Sequence, residues 1–156
     1  MSDKFIVLVV SVSILKENKV LMIKENKPGA YNKWNFPSGR IEYMEDILVA
    51  ACREVKEETG YDVRLTGATG VYNFISSMNN QVILFHFTGE IVGGALNLQE
   101  DEIIEASWVT LDELLDFDLN ELRDGKVIKQ IANRLSNQEI HSLEIFNEQL
   151  LGNWGV

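Results

Sequence analysis

The chain has 156 residues, of which 46% are hydrophobic and 24% charged, a composition that excludes disordered, fibrous and membrane-spanning classes. Residues 1–156 are therefore expected to form a single domain. The 24 acidic and 14 basic residues give a net charge of −10, so there is no general basic surface for a long nucleic acid. Its one cysteine, Cys52, indicates a reducing compartment, and we expect a cytoplasmic protein.

The N-terminal third is predicted to be a β-hairpin followed by a loop. Residues 5–15 are rich in Val and Ile, and they are too short and wrongly flanked for a membrane span or a signal peptide. Residues 17–18 make a turn into a second strand at 20–23. The polar residues 24–33 form a loop, and 34–43 form short extended pieces around a turn.

The next segment has the features of an amphipathic helix. Asp46 is the expected N-cap, and Gly60 stands where a left-handed residue commonly ends a helix. Between them, apolar residues recur at the spacing of one helical face: Ile47, Leu48, Ala51 and Val55.

The second half of the chain is dominated by predicted strands. We expect these at residues 61–65, 70–75, 81–91 and 106–109, with turns at 78–80 and 93–94. Two helices follow, at 111–115 with Thr110 as the cap and at 125–135. Residues 137–156 fit neither the helical nor the strand period, and Trp154 within them is expected to seal a sheet edge or a dimer contact, or to belong to a frayed end. The whole pattern predicts an α/β (α+β) fold, a mixed sheet with helices on its faces.

Three carboxylates share one face of the central helix. Glu54, Glu57 and Glu58 stand at i, i+3 and i+4, where like charges repel by about 0.2 to 0.5 kcal/mol per pair. The helix C-terminus disfavours negative charge by a further ~0.3 to 1 kcal/mol, so a positive partner is needed. Arg53 and Lys56 supply part of it, and oxygen-only donors would favour Mg²⁺ or Mn²⁺ over zinc. The alternative is a solvated acidic helix face.

The surrounding residues favour the metal site over the solvated face. The spacing is Gly-x5-Glu-x7-Arg-Glu-hydrophobic-x-Glu-Glu-x-Gly-hydrophobic, and it resembles the box of the Nudix family. Trp34-Asn35-Phe36-Pro37 before it and residues 108–114 after it are also similar to the family's pattern. The box positions are Gly39, Glu45, Arg53, Glu54, Val55, Glu57, Glu58, Gly60 and Tyr61.

The resemblance implies a Nudix-type α/β/α sandwich with a mixed sheet, which hydrolyses a phosphoanhydride bond with the help of Mg²⁺ or Mn²⁺. It implies that Glu54, Glu57 and Glu58 are metal ligands, joined by the backbone carbonyl of Gly39. Its implied catalytic residues are Glu54 as general base, Arg53 as the group that orients the carboxylates, and Glu57. Glu45 would fix the loop before the helix. Glu102 is the candidate for an extra ligand or base, with a solvated acidic loop as the alternative.

Within the family, the sequence loosely resembles the small hydrolases that act on nucleoside tri- or diphosphates or on a thiamine-pyrimidine pyrophosphate. The candidate substrate-binding residues are Trp34, Arg40, Tyr72 and Phe74, with core packing as the alternative for the three aromatic ones. His86 is expected to be a strand residue with one hydrogen-bond partner. A binding module that senses a nucleotide without cleaving it remains the alternative function, and a homodimer remains open.

Overall fold

The computed structural model describes residues 4–151, so Trp154 lies outside the described residues. The described strands are β1 (Ile6–Lys16), β2 (Lys19–Glu25), β3 (Trp34–Asn35), β4 (Ser38–Arg40), β5 (Tyr61–Ile75), β6 (Gln81–Gly94) and β7 (Ile103–Thr110). They pair in the order β3-β2-β1-β6-β5, with β4 also paired to β1 and β7 to β2. β1 runs parallel to β6, and the other pairs are antiparallel, so the sheet is mixed as predicted.

Local sequence signals set the ends of the helices. In α1 (Ile47–Thr59), the Asp46 side chain accepts a hydrogen bond from the Val49 N–H, and Gly60 adopts φ 85° directly after the last turn. α2 (Leu111–Asp116) is capped by the Thr110 hydroxyl as expected. α3 (Gly125–Ser136) follows, and none of the described helices is long and apolar enough to span a membrane.

Helices cover both faces of the sheet, so the α/β/α sandwich expected from the sequence is confirmed. α1 packs on one face, where its residues join an apolar cluster with strand residues such as Val10, Val12 and Phe87. α2 and α3 pack on the other face, in a cluster that includes Tyr72 and Leu84. Alternate residues of β1 therefore serve two cores, which explains why residues 5–15 read as a continuous apolar run.

Three details differ from the sequence expectations. Residues 61–65 and 70–75 belong to one strand, because bulges near Gly67 and Gly70 absorb the break in the alternating pattern. Gly93 and Gly94 end β6 rather than forming a separate turn. The ambiguous tail contains one short 3₁₀ turn, Leu143–Ile145, whose neighbour Phe146 packs on Phe87.

Candidate functional site

A cavity of about 460 Å³ opens on the α3 side of the sheet and reaches the carboxylates of α1. Its apolar lining comes mainly from β1, β6 and α3, and its charged lining residues are of both signs. A volume of this size with a few convergent polar groups is typical of a small-molecule site. The charged side chains that line it are Lys27, Arg40, Glu54, Glu57, Glu102, Arg123 and Asp124.

The backbone of β4 lies directly against a carboxylate of α1. A Cβ atom placed on Gly39 would stand 2.0 Å from the carboxyl carbon of Glu54, so this position has room only for glycine while that carboxylate stays where it is. The buried face of α1, with Ala50, Ala51 and Val55 in the core, fixes the direction in which Glu54 projects. Burial raises the pKa of Glu54 above its ordinary value, although the neighbouring Arg53 guanidinium opposes the rise.

Arg53 holds three carboxylates in what we call the Arg53 cluster, made of Arg53, Glu45, Glu54 and Glu57. Its guanidinium donates to both oxygens of Glu45, at 2.6 and 2.9 Å. The Nη1 atom donates to Glu54 at 2.8 Å and to Glu57 at 3.2 Å, and Nη2 donates to the Arg40 carbonyl at 3.0 Å. The hydrogen bond from Arg53 lowers the pKa of Glu45, against the opposing effect of burial.

Glu58 belongs to a separate group, the Lys27 cluster, made of Lys27, Glu25, Glu58 and Glu102. The Lys27 ammonium donates to Glu58 Oε2 at 2.8 Å, and it lies 3.3 Å from Glu25 and 3.6 Å from Glu102. The other oxygen of Glu58 accepts the Ser38 N–H at 2.8 Å. Burial alone would lower the pKa of Lys27, but Glu58 and Glu25 outweigh burial and raise it. Burial raises the pKa of Glu58.

Glu25 is fully buried and is satisfied from several sides. The Arg123 Nη1 atom donates to both of its oxygens, at 3.2 and 3.1 Å, and the Asn35 amide donates to Oε1 at 3.1 Å. The Lys27 ammonium is a further neighbour. These donors replace the hydrogen bonds to water that the Glu25 carboxylate gives up on burial.

The donors on this wall have the chemistry that a hard divalent cation requires. Glu54 and Glu57 line the cavity together with Gly39, and all three offer oxygen atoms only. The third box carboxylate, Glu58, is turned to Lys27 and Ser38 instead. Within residues 4–151, no three His, Cys, Asp or Glu side chains are arranged as a ready metal site. The residue types therefore fit such an ion, with two of the three expected carboxylates at the cavity.

The candidate substrate residues separate into two groups. Arg40 and Phe74 line the cavity, and so does Glu102, the candidate for an extra ligand or base. Tyr72 does not line it, because this side chain is buried in the core with its hydroxyl paired to Thr69 at 2.8 Å. Trp34 also lies outside the lining; its ring packs near Phe117 and under the Lys24 ammonium.

Sequence reasoning missed Lys27, Glu25 and Arg123, which belong to the site through tertiary contacts. One signal was present in the sequence: Glu25 ends an apolar strand segment. The structure shows that it is buried, and a charged residue is rarely buried without a partner. The expectation of one partner for His86 was wrong. Its two ring nitrogens contact the hydroxyls of Ser11 at 2.5 Å and Ser13 at 2.6 Å.

Comparison with protein families agrees with this geometry. The family described as the NUDIX domain matches residues 6–131. The NUDIX hydrolase from Nitrosomonas europaea has the same fold, with a TM-score of 0.81 and 26% identity, covering 94% of this chain and 98% of that one. The chain's box residues thus lie inside a fold that this hydrolase shares over almost its full length.

Two curated relatives are similar over part of their length. The 8-oxo-dGDP phosphatase NUDT18 of Danio rerio is 34% identical over 95 residues, which cover 59% of this chain and 28% of that protein. The ADP-ribose pyrophosphatase of Methanocaldococcus jannaschii is 32% identical over 102 residues, which cover 65% of this chain and 60% of that protein. The match therefore spans about a quarter of the first relative and less than two thirds of the second.

Proposed function

The chain belongs to the Nudix family, and from that premise we propose that it is a hydrolase that cleaves a phosphoanhydride bond. The proposed substrate is a nucleoside tri- or diphosphate or a related pyrophosphate. The proposed cofactor is Mg²⁺ or Mn²⁺. The observation that carries the proposal is the cavity wall on which Glu54 and Glu57 stand beside the cations Lys27, Arg40 and Arg123. Carboxylates can hold a divalent ion, and basic side chains attract the phosphate groups of the substrate.

The proposed ligands are Glu54, Glu57, Glu58 and the carbonyl oxygen of Gly39. A divalent ion held there would neutralise charge on the phosphate oxygens and make a bound water easier to deprotonate. The oxygen-only donor set and the close approach of Gly39 to Glu54 support this assignment.

Glu54 is the proposed general base. Its carboxylate lies at the cavity, and its burial raises its pKa, which makes it a better proton acceptor than an exposed glutamate. Arg53 holds this carboxylate through Nη1 and is itself fixed by both oxygens of Glu45, so the base has a defined orientation. Glu102, at the cavity rim, is the second residue from which a base or a ligand could come.

Other residues of the cavity lining suit the rest of the substrate. Phe74 and the aliphatic residues of α3 offer an apolar surface for a nucleobase or another flat ring. Arg40 and Arg123 line the same cavity, and their guanidinium groups suit the phosphates. A nucleotide would thus be held at its base by apolar contact and at its phosphates by charge.

The test is product release from a panel of compounds: dGDP, dGTP, their 8-oxo forms, ADP-ribose and a thiamine-pyrimidine pyrophosphate. Each is incubated with Mg²⁺, with Mn²⁺ and with chelator, and phosphate and pyrophosphate are measured separately. We expect release that the chelator abolishes, and the product identifies the attacked phosphorus. Thermal stabilisation by one compound without any release would instead support the binding module.

A further inference from the structure

We propose that Ser11 is a binding residue that donates a hydrogen bond to an acceptor atom of the substrate, and that His86 and Ser13 fix the direction in which it donates. The inference rests on the proposed function, since it takes the cavity as the substrate site. The acceptor is an oxygen or nitrogen atom, which either the ring or the phosphates of the substrate could supply.

The first step concerns the place of three polar side chains in the sheet. Ser11 and Ser13 are alternate residues of β1, so they share a face of the sheet, and His86 of β6 is paired with Ser11. The Ser11 hydroxyl lies 2.5 Å from His86 Nδ1, and the Ser13 hydroxyl lies 2.6 Å from Nε2. Ser11 lines the cavity, whereas Ser13 and His86 do not line it and are fully buried. The three groups therefore form a hydrogen-bonded row with one end at the cavity.

The second step counts the hydrogens in this row. Burial lowers the pKa of His86, so its ring is neutral near pH 7 and carries one N–H. Each serine hydroxyl adds one hydrogen, so the row has three hydrogens for its two hydrogen bonds. Because a neutral imidazole accepts at one nitrogen and donates at the other, the hydrogen left over belongs to one of the two serines.

The third step decides which serine keeps the spare hydrogen. Within residues 4–151, neither hydroxyl has a hydrogen-bond partner other than His86. A spare hydrogen on Ser13 would be buried without an acceptor, whereas one on Ser11 can reach water or a ligand in the cavity. Ser13 therefore donates to Nε2, the Nδ1–H donates to Ser11, and the Ser11 O–H is directed to the cavity.

The fourth step concerns the surroundings of Ser11. Val9 lies on the same face of β1, and Leu84 is paired with Val9 on β6; both line the cavity. The Phe36 ring packs on the His86 ring, with 4.6 Å between the ring centres. A donor among apolar side chains favours a ligand that brings an acceptor to it, because a polar atom without a partner is penalised there. The row thus discriminates between ligands with and without an acceptor at this position.

The first experiment determines the tautomer of His86 by NMR, without substrate. In protein labelled with ¹⁵N-histidine, Nε2 is the ring nitrogen that couples to both carbon-bound hydrogens of the ring. We expect it to have the chemical shift of an unprotonated nitrogen, since Ser13 donates to it. The chain has two histidines, and His141→Gln identifies the signals of His86. A protonated Nε2 would overturn the proposal.

The second experiment measures kcat and KM for the panel compound that is hydrolysed fastest. We expect Ser11→Ala to lower kcat/KM by about 3- to 10-fold, as the loss of one hydrogen bond does. Ser13→Ala is the matched control, because it removes the other hydroxyl that contacts His86 and leaves the cavity lining intact. It should change kcat/KM by less than about 2-fold. Equal losses would show that both serines act through the packing of His86, which would overturn the direct contact of Ser11. If either variant does not fold, the tautomer in the parent decides the matter.

Competitive inhibitors identify which part of the substrate supplies the acceptor. Deoxyguanosine, or adenosine if ADP-ribose is the substrate, carries the ring without phosphates, and inorganic pyrophosphate carries phosphates without the ring. A weaker inhibition of Ser11→Ala by the nucleoside would place the acceptor on the nucleoside, and a weaker inhibition by pyrophosphate would place it on a phosphate. Inhibition by both that equals that of the parent would overturn the direct contact.

The two proposals fail in different ways. If no compound in the panel is hydrolysed, the proposed function fails, while the tautomer of His86 still tests the direction in which Ser11 donates. If hydrolysis is found and Nε2 is protonated, only the role of Ser11 fails.

Discussion

The Lys27 cluster and the Arg53 cluster both draw carboxylates from the same turn of α1, yet their surroundings differ. Glu58 is 2% exposed, and its two oxygens accept from Lys27 at 2.8 Å and from the Ser38 N–H at 2.8 Å, whereas Glu57 is 51% exposed and contacts Arg53 at 3.2 Å. Neighbours on a helix face thus have different partners, because Glu58 is turned to Lys27 and the backbone of Ser38, whereas Glu57 lines the open cavity. Burial and partner charge, rather than position in the motif, decide what each carboxylate can do.

The comparison separates two kinds of cost. Glu58 in the Lys27 cluster is buried with both oxygens hydrogen-bonded, so losing it should destabilise the fold. Glu54 and Glu57 in the Arg53 cluster line the cavity, so losing one of their charges should reduce activity with little effect on folding. Variants in the two clusters test this separation.

Glu54→Gln should lower kcat by about 10²- to 10⁴-fold, as expected for the loss of a general base. The free energy of unfolding should change little, because the amide keeps the shape of the side chain and avoids burying a charge. Turnover with saturating Mg²⁺ and urea unfolding measure the two quantities. Near-parental kcat would move the base to Glu102, and a large loss of stability would contradict the division between the clusters.

Glu58→Ala should lower the free energy of unfolding by about 1 to 3 kcal/mol, because it leaves the Ser38 N–H without its acceptor and removes one of the three carboxylates around the Lys27 ammonium. Glu57→Ala is the control on the same helix turn, and it should cost about 0 to 1 kcal/mol as an exposed ion pair does. Urea unfolding in chelator excludes any contribution from metal. Equal losses of unfolding free energy in the two variants would show that the burial of Glu58 does not distinguish it from the exposed Glu57.

These differences show what could be read from the sequence. The ends of α1 were predicted because Asp46 and Gly60 act on their own helix. The box was recognised because its residues lie within one continuous segment. The partner of Glu58 was not predicted, because Lys27 lies 31 positions away and meets it only after the loop folds over α1. Lys56, next to Glu57 in the sequence, pairs with Asp62 instead.

The same reason explains the errors in the sheet. Bulges let β5 continue through Gly67, and they depend on its pairing with β6, which no local pattern reports. The two serines that contact His86 stand at alternate positions of β1, next to β6 in the sheet. Once the register of β1 and β6 is known, Ser11 and Ser13 are the expected partners, but the register itself is a tertiary property.

His86 extends the comparison to a buried group that has only neutral partners. Burial lowers its pKa to about 3, since Ser11 and Ser13 supply hydroxyls and no opposite charge. The unfolded chain, with an ordinary pKa near 6.5, binds a proton first, so stability from this group is complete above about pH 6.5 and is lost as the pH falls toward 3. At pH 5 the loss should reach about 2 kcal/mol.

The measurement is the difference in unfolding free energy between the parent and His86→Gln, taken at pH 7.5 and at pH 5. Subtracting the variant removes the contributions of the glutamates, which also change over this range. We expect the advantage of the parent to shrink by about 2 kcal/mol at the lower pH. A constant difference would mean that the pKa of His86 is the same in the folded and the unfolded chain.

The smallest predicted effect concerns Glu45, which we regard as a positioning residue in the Arg53 cluster. It accepts hydrogen bonds from two nitrogens of Arg53, so Glu45→Gln should loosen the guanidinium that orients Glu54. We expect kcat to fall by about 10-fold with KM nearly unchanged, because the change affects the orientation of the base and not the substrate surface. Glu42→Gln is the matched control, since Glu42 lies 3.8 Å from Arg53 and is mostly exposed, and it should leave kcat unchanged. A purely structural role for Glu45 would instead lower the unfolding free energy and leave kcat per folded molecule intact. In that case the Arg53 cluster, like Glu58 in the Lys27 cluster, would contribute to stability.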